Sequence, residues 1–427
     1  MALRLLGTQT VSGNNFTIGG VAVNDLASEF GTPLYVVDEA HFRNRIREFF
    51  KAARAVHSNV ALAFASKSNG ALEVLRTARD EGMDVDVASE GELYGALKAG
   101  FEPKQIHVHG NNKSQRELEW AVELDVGAVI VDNFREIKTL GSIGKPCRVI
   151  LRLAPNVDPH THVAIRTGQA DTKFGFNIYD GSAAEAINLV ANSQNLHLIG
   201  FHTHVGSQLL DSSAQIEGAE LVSQVAIDYG RPIEEISVGG GRGIPYLPTQ
   251  EVEPIQDYCR RVIESALRPF MEANLPLPKV SFEPGRSVIG EAGSTLYTAG
   301  VLKSVTLATG GTRRYLSIDG GVADNPRPLL YDAVYSALNV SRPNEPHDTE
   351  FCLSSRHGES DTMIQAAMLP DSTAEGDLIL VQCTGAYGFS MASNYNRYPR
   401  PAMVFAQDGK ARVVVRRESL EDLFQTE

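Results

Sequence analysis

Four short segments of the chain carry side chains that could cooperate in one chemical site. Residues 65–69 (Ala-Ser-Lys-Ser-Asn) contain a lysine, residues 239–241 are three glycines, residues 283–286 read Glu-Pro-Gly-Arg, and residues 385–387 read Gly-Ala-Tyr. A lysine amine can form a Schiff base with an aldehyde, and glycines can present backbone N–H groups to a phosphate. A carboxylate can pair with a protonated pyridine nitrogen, while an arginine and a tyrosine can complete the phosphate site. Together these chemistries predict a pocket for pyridoxal 5'-phosphate.

Each segment also has a purely structural interpretation. Lys67 follows an apolar run, so its stem could be buried at a strand end, where burial lowers a lysine pKa. Most lysines instead lie on the surface with an exposed head group. The glycines could form an ordinary loop, and Glu283 with Arg286 could form a surface turn closed by an ion pair. The order of the four segments along the chain is what favours the cofactor pocket.

From about residue 33 to residue 285, short apolar runs alternate with amphipathic segments of helical length, which is the pattern of βα units. About eight such units over ~250 residues fit a (β/α)8 barrel better than a doubly wound sheet. Lys67, His204, the three glycines and Glu283 follow predicted strands, and the C-terminal strand ends form the active-site face of such a barrel. The predicted strands are residues 34–37, 61–64, 85–88, 106–109, 128–131, 147–153, 198–202, 235–238 and 280–283, and the predicted helices include residues 39–56, 69–81, 91–99, 115–124 and 211–229.

After residue 287 the pattern changes to period-two runs without intervening helices, which predicts a mostly antiparallel β-sandwich or β-barrel domain. The short apolar runs at residues 16–18 and 21–23 are predicted to add strands to it. The sequence therefore predicts an α/β chain in three segments. These are N-terminal strands joining the β domain (residues 1–34), a cofactor-binding barrel (residues 35–287) and a C-terminal β domain (residues 288–427).

Composition limits the class of protein. A chain of 427 residues with 43% apolar and 21% charged residues is typical of a soluble globular protein with two domains. The formal charge of −13, without a basic run, argues against a nucleic-acid partner. No signal peptide or membrane-spanning run is recognisable, and the four cysteines lack C-x-x-C spacing. These features predict a cytoplasmic protein with reduced thiols and no membrane partner.

The four segments, in this order, resemble those of the alanine racemase-like (fold type III) family of pyridoxal phosphate decarboxylases, most closely the diaminopimelate decarboxylases, over residues 15 to 416. In that family the residue matching Lys67 forms the Schiff base, and the residue matching Glu283 pairs with the pyridine nitrogen. The residue matching His204 stacks on the ring; a metal on His202 and His204 instead would lack a third ligand nearby in sequence. The cofactor-binding residues implied by the resemblance are Lys67, Asp86 with Ser89 close by, His204, Ser207, Gly241, Glu283, Gly285, Arg286 and Tyr387.

The β domain carries the substrate signal of the resemblance. Residues 319–328 (Asp-Gly-Gly-Val-Ala-Asp-Asn-Pro-Arg-Pro) and residues 385–396 look like diaminopimelate decarboxylases rather than ornithine decarboxylases. A distal carboxylate and a distal ammonium on the substrate need a fixed cation and a fixed anion, which Arg327 and Glu359 could supply. The implied substrate-binding residues are Arg286, Arg327, Tyr331, Glu359 and Tyr387.

One departure from the family concerns the proton donor. The family has Cys-Glu-Ser-x-Asp, whose cysteine reaches the partner subunit's active site, whereas this chain has Gly358 at the position of the cysteine and lacks one residue before Asp361. Cys352 is six residues upstream, and His357, which can carry protons at neutral pH, is expected to be catalytic together with Lys67. Three outcomes are open: His357 donates the proton, decarboxylation persists with poorly controlled protonation, or the substrate is different. Loss of a proton donor typically costs about 10² to 10⁴ in rate without abolishing cofactor binding.

The resemblance implies decarboxylation of meso-2,6-diaminopimelate to L-lysine by a homodimer with active sites at the subunit interface. Two alternatives stay open. One is an enzyme of the same fold acting on another amino acid, such as a D-amino acid or a secondary-metabolite intermediate, which the missing cysteine favours. The other is a pyridoxal phosphate-binding protein without decarboxylase turnover, which the long β domain speaks against. No metal is expected.

Overall fold

The computed structural model describes residues 3–157, 172–359 and 362–427. The chain divides into two compact units, and each is interrupted in sequence. The first comprises Met1–Arg45, Pro245–Gln250 and Val288–Glu427, and the second comprises Ile46–Ile244 and Glu251–Ser287.

The N-terminal part of the first unit forms a small sheet of its own. The strands of this small sheet are β1 (Thr10–Ser12), β2 (Asn15–Ile18) and β3 (Val21–Ala22). Helix α1 (Val23–Phe30) and strand β4 (Leu34–Asp38) follow them in the chain. Strands β1, β2 and β3 pair antiparallel with one another and not with the larger sheet, so the expected added strands are wrong as to pairing. They join the β domain by packing instead, because Phe16 and Ile18 are buried in one core cluster with Leu296, Leu380 and Val404.

The second unit contains a closed barrel of eight parallel strands, which confirms the predicted (β/α)8 fold. In barrel order, each strand pairs parallel with the next, and the eighth pairs with the first. The barrel strands are β5 (Val60–Ala65), β6 (Asp84–Val87), β7 (Ile106–Val108), β8 (Ala128–Val131), β9 (Cys147–Ala154), β11 (Leu196–His202), β12 (Glu235–Ser237) and β13 (Lys279–Phe282), and the short β10 (Phe176–Asn177) pairs with β9. The helices of this unit are α3 (Leu72–Asp80), α4 (Glu90–Ala99), α5 (Gln115–Glu123), α6 (Phe134–Ile143), α7 (Ser182–Ala191), α8 (Ser213–Tyr229) and α9 (Ile255–Glu272). Two more helices, α2 (Glu39–Arg54) and α10 (Arg286–Ile289), have residues in both units.

Local sequence explains these barrel elements. The strands are short apolar runs, such as Ala-Val-Ile-Val in β8, in which all four residues are buried, as expected when helices cover a parallel sheet. Ser114 begins α5 with a reciprocal capping box to Glu117, and the Ser89 side chain caps α4 by accepting the backbone N–H of Glu92. Ser89, expected beside the cofactor, therefore has a structural role at a helix start.

One predicted barrel strand belongs elsewhere. β4 pairs antiparallel with β14 (Gly293–Thr306) and parallel with β20 (Ala402–Gln407), so it is an inner strand of the first unit's large sheet. All five residues of β4 are buried, like those of a barrel strand, which is why the sequence pattern placed it in the barrel.

The first unit's large sheet is mostly antiparallel, as predicted. Its other elements are β15 (Thr312–Ile318), α11 (Arg327–Tyr331), β16 (Ala337–Asn339), β17 (Thr349–Ser354), β18 (Thr362–Leu369), β19 (Leu378–Val381) and β21 (Lys410–Val415). The strand order is β18-β17-β15-β14-β4-β20-β21, and β19 pairs with both β14 and β16. Within this sheet, among the described strands, only β15 with β17 and β4 with β20 pair parallel. A search of the described residues for a helix both long and apolar enough to span a bilayer finds none.

Candidate active site

The C-terminal ends of five barrel strands bring together the polar side chains of the second unit. Lys67 lies in a single 3₁₀ turn, Ser66–Ser68, directly after β5, and Asp86 is the third residue of β6. His109 follows β7, His202 is the last residue of β11, and Glu283 follows β13. This is the face on which barrels of this type carry their active sites.

Lys67 and Asp86 form an ion pair with 3.5 Å between Nζ and Oδ2. Asp86 is 1% exposed, and burial raises the pKa of its carboxyl to about 6 despite the opposing effect of Lys67. The Lys67 side chain is 45% exposed, so the expected burial of its stem is wrong. The reason is the turn after β5, which buries Ser66 and Ser68 and directs the lysine between them outward.

The Glu283 carboxylate is held by donors from two other strands. His202 Nε2 donates to Oε2 over 3.1 Å, and Ser237 Oγ donates to Oε1 over 2.8 Å. Burial of this carboxyl would raise its pKa, but the neighbouring His202 and His109 and these hydrogen bonds outweigh burial and hold the pKa well below its ordinary value. Glu283 is therefore an anion at neutral pH, as a partner of a protonated ring nitrogen must be.

His109 is a site residue that sequence reasoning missed. Its Nε2 lies 3.5 Å from Glu283 Oε1 and 3.8 Å from Asp86 Oδ1, and its ring packs edge-on against His202. The rule that strand ends carry the site would have found it, because it directly follows β7. One ligand-type atom each from His109, His202 and Glu283 lies within 4.8 Å of the others, whereas His204, considered as a metal partner of His202, is not in this group.

The three glycines after β12 fit only as glycines. A Cβ at any of the three positions would lie 2.3–2.6 Å from a carbonyl oxygen of a neighbouring segment, and Gly239 and Gly241 have φ values of +66° and +122°. From α8, the buried Gln215 donates to the carbonyls of Val238 and Gly240 over 2.9 and 3.2 Å. The loop backbone is thus fixed by packing and by the side chain of Gln215, which no sequence motif marks as part of the site.

Arg286 and Ser207 meet beside this loop. Arg286 is the first residue of α10 and is buried, and its Nη2 donates to Ser207 Oγ over 3.0 Å. Gly285 allows the approach of β5 and its turn, since a Cβ there would lie 2.8 Å from Ser68 Oγ. A guanidinium, a hydroxyl and a glycine loop together suit a phosphate group.

The residues present fit pyridoxal 5'-phosphate. Both carboxylate oxygens of Asp86 and Nε2 of His109 are buried without a hydrogen-bond partner among the described residues, which marks a space built for polar groups of a ligand. Burial, followed by the nearby cations Lys67 and Arg152, lowers the pKa of His204 to about 3, so its ring is neutral and can stack on another aromatic ring.

In the first unit, Arg327 is surrounded by tyrosines. Its Nη1 donates to the hydroxyls of Tyr246 and Tyr335, 3.0 Å each, and its guanidinium carbon lies 5.6 Å from the ring centre of Tyr387 and 5.9 Å from that of Tyr331. The structure therefore brings together three of the predicted residues, Arg327, Tyr331 and Tyr387. Tyr246 was missed because it lies between barrel elements in the sequence.

Glu359 is not part of this arrangement. Its exposed carboxylate accepts a hydrogen bond from the Tyr395 hydroxyl, and no ion pair joins it to Arg327 in the part of the chain that the structure describes. The expected role of Glu359, binding the distal ammonium of the substrate, stays a prediction. Ser360 and Asp361 of the same motif lie outside the described residues.

The hydrogen bonds of His357 argue for a structural role. The Ala323 backbone N–H donates to Nε2 over 3.2 Å, so the ring proton is on Nδ1, which lies 3.2 Å from Asn396 Oδ1. Both nitrogens are therefore engaged, which does not support the predicted catalytic role. Cys352 is buried inside β17, while Gly358 is exposed and a Cβ there would meet nothing within 4 Å.

Comparison with known proteins agrees with this geometry. Residues 43–290 match the family model of the pyridoxal-dependent decarboxylase, pyridoxal binding domain. The diaminopimelate decarboxylase of Bacillus subtilis is 42% identical over 95% of this chain and 93% of its own length, and that of Staphylococcus aureus is 39% identical over 95% and 96%. The crystal structure of diaminopimelate decarboxylase from M. jannaschii in co-complex with L-lysine superposes with a TM-score of 0.91 at 30% identity, covering 98% of this chain and 97% of that chain.

The chain is thus a pyridoxal phosphate-dependent decarboxylase with a barrel and a β domain. Within that class, identity near 40% over almost the whole length places it in the diaminopimelate decarboxylase family.

Proposed function

We propose that this enzyme removes the carboxylate at the D-configured end of meso-2,6-diaminopimelate, giving L-lysine and carbon dioxide. The proposal is supported most by the whole-length match to diaminopimelate decarboxylases, because it covers the barrel and the β domain alike. Relatives from M. jannaschii and Helicobacter pylori were solved with L-lysine, the product expected here.

Lys67 and Asp86 prepare the amine that binds the cofactor aldehyde. The Asp86 carboxyl lies 3.5 Å from Nζ and has a pKa of about 6, so it is mostly ionised at neutral pH and can act as the base that takes the amine proton during attack on the aldehyde. A neutral amine is the nucleophilic form of lysine. The exposed end of the lysine leaves Nζ accessible to an incoming aldehyde.

The other residues orient the cofactor. Gly241, Ser207 and Arg286 would hold its phosphate, the neutral ring of His204 would stack on it, and the Glu283 anion would keep its ring nitrogen protonated. The bound cofactor supplies an electron sink for the bond that breaks when carbon dioxide leaves. A proton must then return to the α-carbon. In the family a cysteine thiol donates it, and this chain lacks that cysteine.

Arg327 is proposed to bind the distal carboxylate of the substrate. Its guanidinium has no carboxylate partner among the described residues and is held in place by two tyrosine hydroxyls. A fixed guanidinium is suited to bidentate recognition of a carboxylate. The rings of Tyr387 and Tyr331 lie next to the same guanidinium.

We also propose a cytoplasmic homodimer, because the active sites of the family lie at the subunit interface. The buried, unpaired state of all four cysteines is consistent with a reducing compartment. Sedimentation at micromolar concentration tests the dimer, and a monomeric, fully active enzyme would contradict it.

The test of the function combines a spectrum with a product. Purified enzyme with pyridoxal phosphate and meso-diaminopimelate should show a visible band of bound cofactor and release carbon dioxide and lysine in equal amounts. Lys67→Ala should lose both, whereas the control Lys98→Ala, an exposed lysine of α4, should lose neither. A visible band without gas would favour a binding protein, and gas only with a different amino acid would favour the alternative substrate.

A further inference from the structure

The Nε2 atom of His109 has no role in the site as described so far. The side chain is 6% exposed, and Nε2 has no hydrogen-bond partner in the described parts of the chain. That nitrogen lies between the Glu283 carboxylate, at 3.5 Å, and the Asp86 carboxylate beside Lys67, at 3.8 Å. A buried polar atom left unpaired costs stability, so an unpaired nitrogen at a ligand site indicates a ligand group.

The protonation state of His109 determines whether its ring nitrogens donate or accept hydrogen bonds. Burial, which outweighs the opposing effect of Glu283, holds its pKa well below the ordinary value, so the ring is neutral and has one N–H. Because two carboxylates lie near Nε2, the proton is more stable on that nitrogen than on Nδ1. His109 therefore presents a single donor to the space between Asp86 and Glu283.

The barrel order shows which side of the cofactor this donor can face. Counting from β5, β7 is the third strand and β12 is the seventh, so they lie opposite each other in the ring of eight. Gly241 follows β12, whereas His109 follows β7. The donor therefore lies across the barrel from the glycine loop proposed to hold the phosphate.

The chemistry of pyridoxal phosphate completes the assignment. Its aldehyde carbon and its ring nitrogen lie at opposite ends of the ring; one edge between them carries the phosphate arm and the other carries a hydroxyl. Lys67 occupies the aldehyde end and Glu283 the nitrogen end in the proposed function, on which this inference rests. We propose that His109 contacts the hydroxyl edge and donates a hydrogen bond from Nε2 to the ring oxygen. His109 is then a cofactor-contacting residue that fixes the ring's orientation and stabilises negative charge on that oxygen.

The test measures cofactor affinity rather than turnover. Dissociation constants are determined for pyridoxal 5'-phosphate and for its 3-deoxy analogue, which lacks only the hydroxyl, with the wild type and with His109→Leu. The wild type should prefer the natural cofactor by about tenfold or more, the value of a hydrogen bond to a charged group, and His109→Leu should lose that preference. His109→Gln, whose amide nitrogen can reach the place of Nε2, should restore part of it.

His107→Leu is the matched control. His107 is a buried histidine of the same strand, but it lines a cavity with Asp84, Glu235 and Lys279 at the opposite strand ends, so it should keep the wild-type preference. An equal preference in wild type and a folded His109→Leu overturns the inference, and so does a wild type that binds both cofactors equally. A wild type that binds pyridoxal phosphate but releases no carbon dioxide refutes the proposed function while leaving this affinity test intact.

Discussion

Restoring a thiol at position 358 is the most direct test of how this enzyme handles the proton. Gly358 is exposed, its φ is outside the left-handed region, and a Cβ there would touch nothing within 4 Å. Gly358→Cys should therefore fold normally. Its free energy of unfolding should lie within about 0.5 kcal/mol of the wild type, or rise by up to about 1 kcal/mol because the unfolded chain loses freedom.

The expected gain in rate follows from what the chain lacks. His357 uses both ring nitrogens in hydrogen bonds, and Cys352 is buried within β17, so we expect neither to donate the proton. A positioned general acid contributes about 10² to 10⁴ in rate, and a cysteine with a pKa of about 8.5 is protonated at neutral pH. Because the wild type already returns the proton by some slower route, kcat should rise by about tenfold or more, toward that range.

The assay is lysine formation at saturating meso-diaminopimelate, in the presence of a reductant, with Gly358→Ser as the control. Serine adds nearly the same bulk but a hydroxyl that is a far weaker acid, so its kcat should stay near that of the wild type. If folded Gly358→Cys is no faster than Gly358→Ser, proton return is not limiting or this position does not reach the substrate, and the reasoning fails.

Three further outcomes are expected. His357→Leu leaves the Ala323 N–H without an acceptor, so urea unfolding should show a loss of about 1–3 kcal/mol with kcat nearly unchanged; a folded variant that loses kcat by about 10² would restore His357 as the donor. Arg327→Lys should raise KM for meso-diaminopimelate about tenfold with a smaller effect on kcat, because lysine cannot bind a carboxylate bidentately; an unchanged KM contradicts the assignment. The Asp86 carboxyl, with a pKa of about 6 in place of an ordinary value near 4, destabilises the folded cofactor-free protein above pH 6 by about 3 kcal/mol and not below pH 4. Thermal unfolding of Asp86→Asn should therefore show a gain at pH 8 that vanishes toward pH 4, and a gain independent of pH would refute this.

The barrel could be predicted because its strands are short apolar runs at regular spacing, and local pattern is enough to recognise them. β4 shows the limit of that reasoning. Its five buried residues look like a barrel strand, but its partners β14 and β20 come from residues more than 250 positions away, and pairing at that distance leaves no mark in the local sequence.

The site was predictable where a motif and a strand end coincide, as for Lys67 and Glu283, which the structure brings to one face. The site was not predictable for residues whose role depends on which other side chain they contact. Glu359 carries the charge that a substrate ammonium needs, but its local sequence does not reveal that its carboxylate accepts a hydrogen bond from Tyr395, 36 residues later in the chain. The position of His109 directly after β7 could be predicted from the sequence, but its proximity to two carboxylates appears only in the structure.

Both units are built from non-contiguous segments of the chain, which limits where the protein can be divided to make fragments or chimaeras. Residues Pro245–Gln250 are flanked on both sides by barrel sequence but belong to the first unit, and Tyr246 among them supplies a hydroxyl to Arg327. A gene fragment encoding the barrel alone would carry this hexapeptide without the residues it packs against. In chimaeras between relatives, residues Pro245–Gln250 should therefore be exchanged together with the C-terminal β domain, although they lie within the barrel part of the sequence.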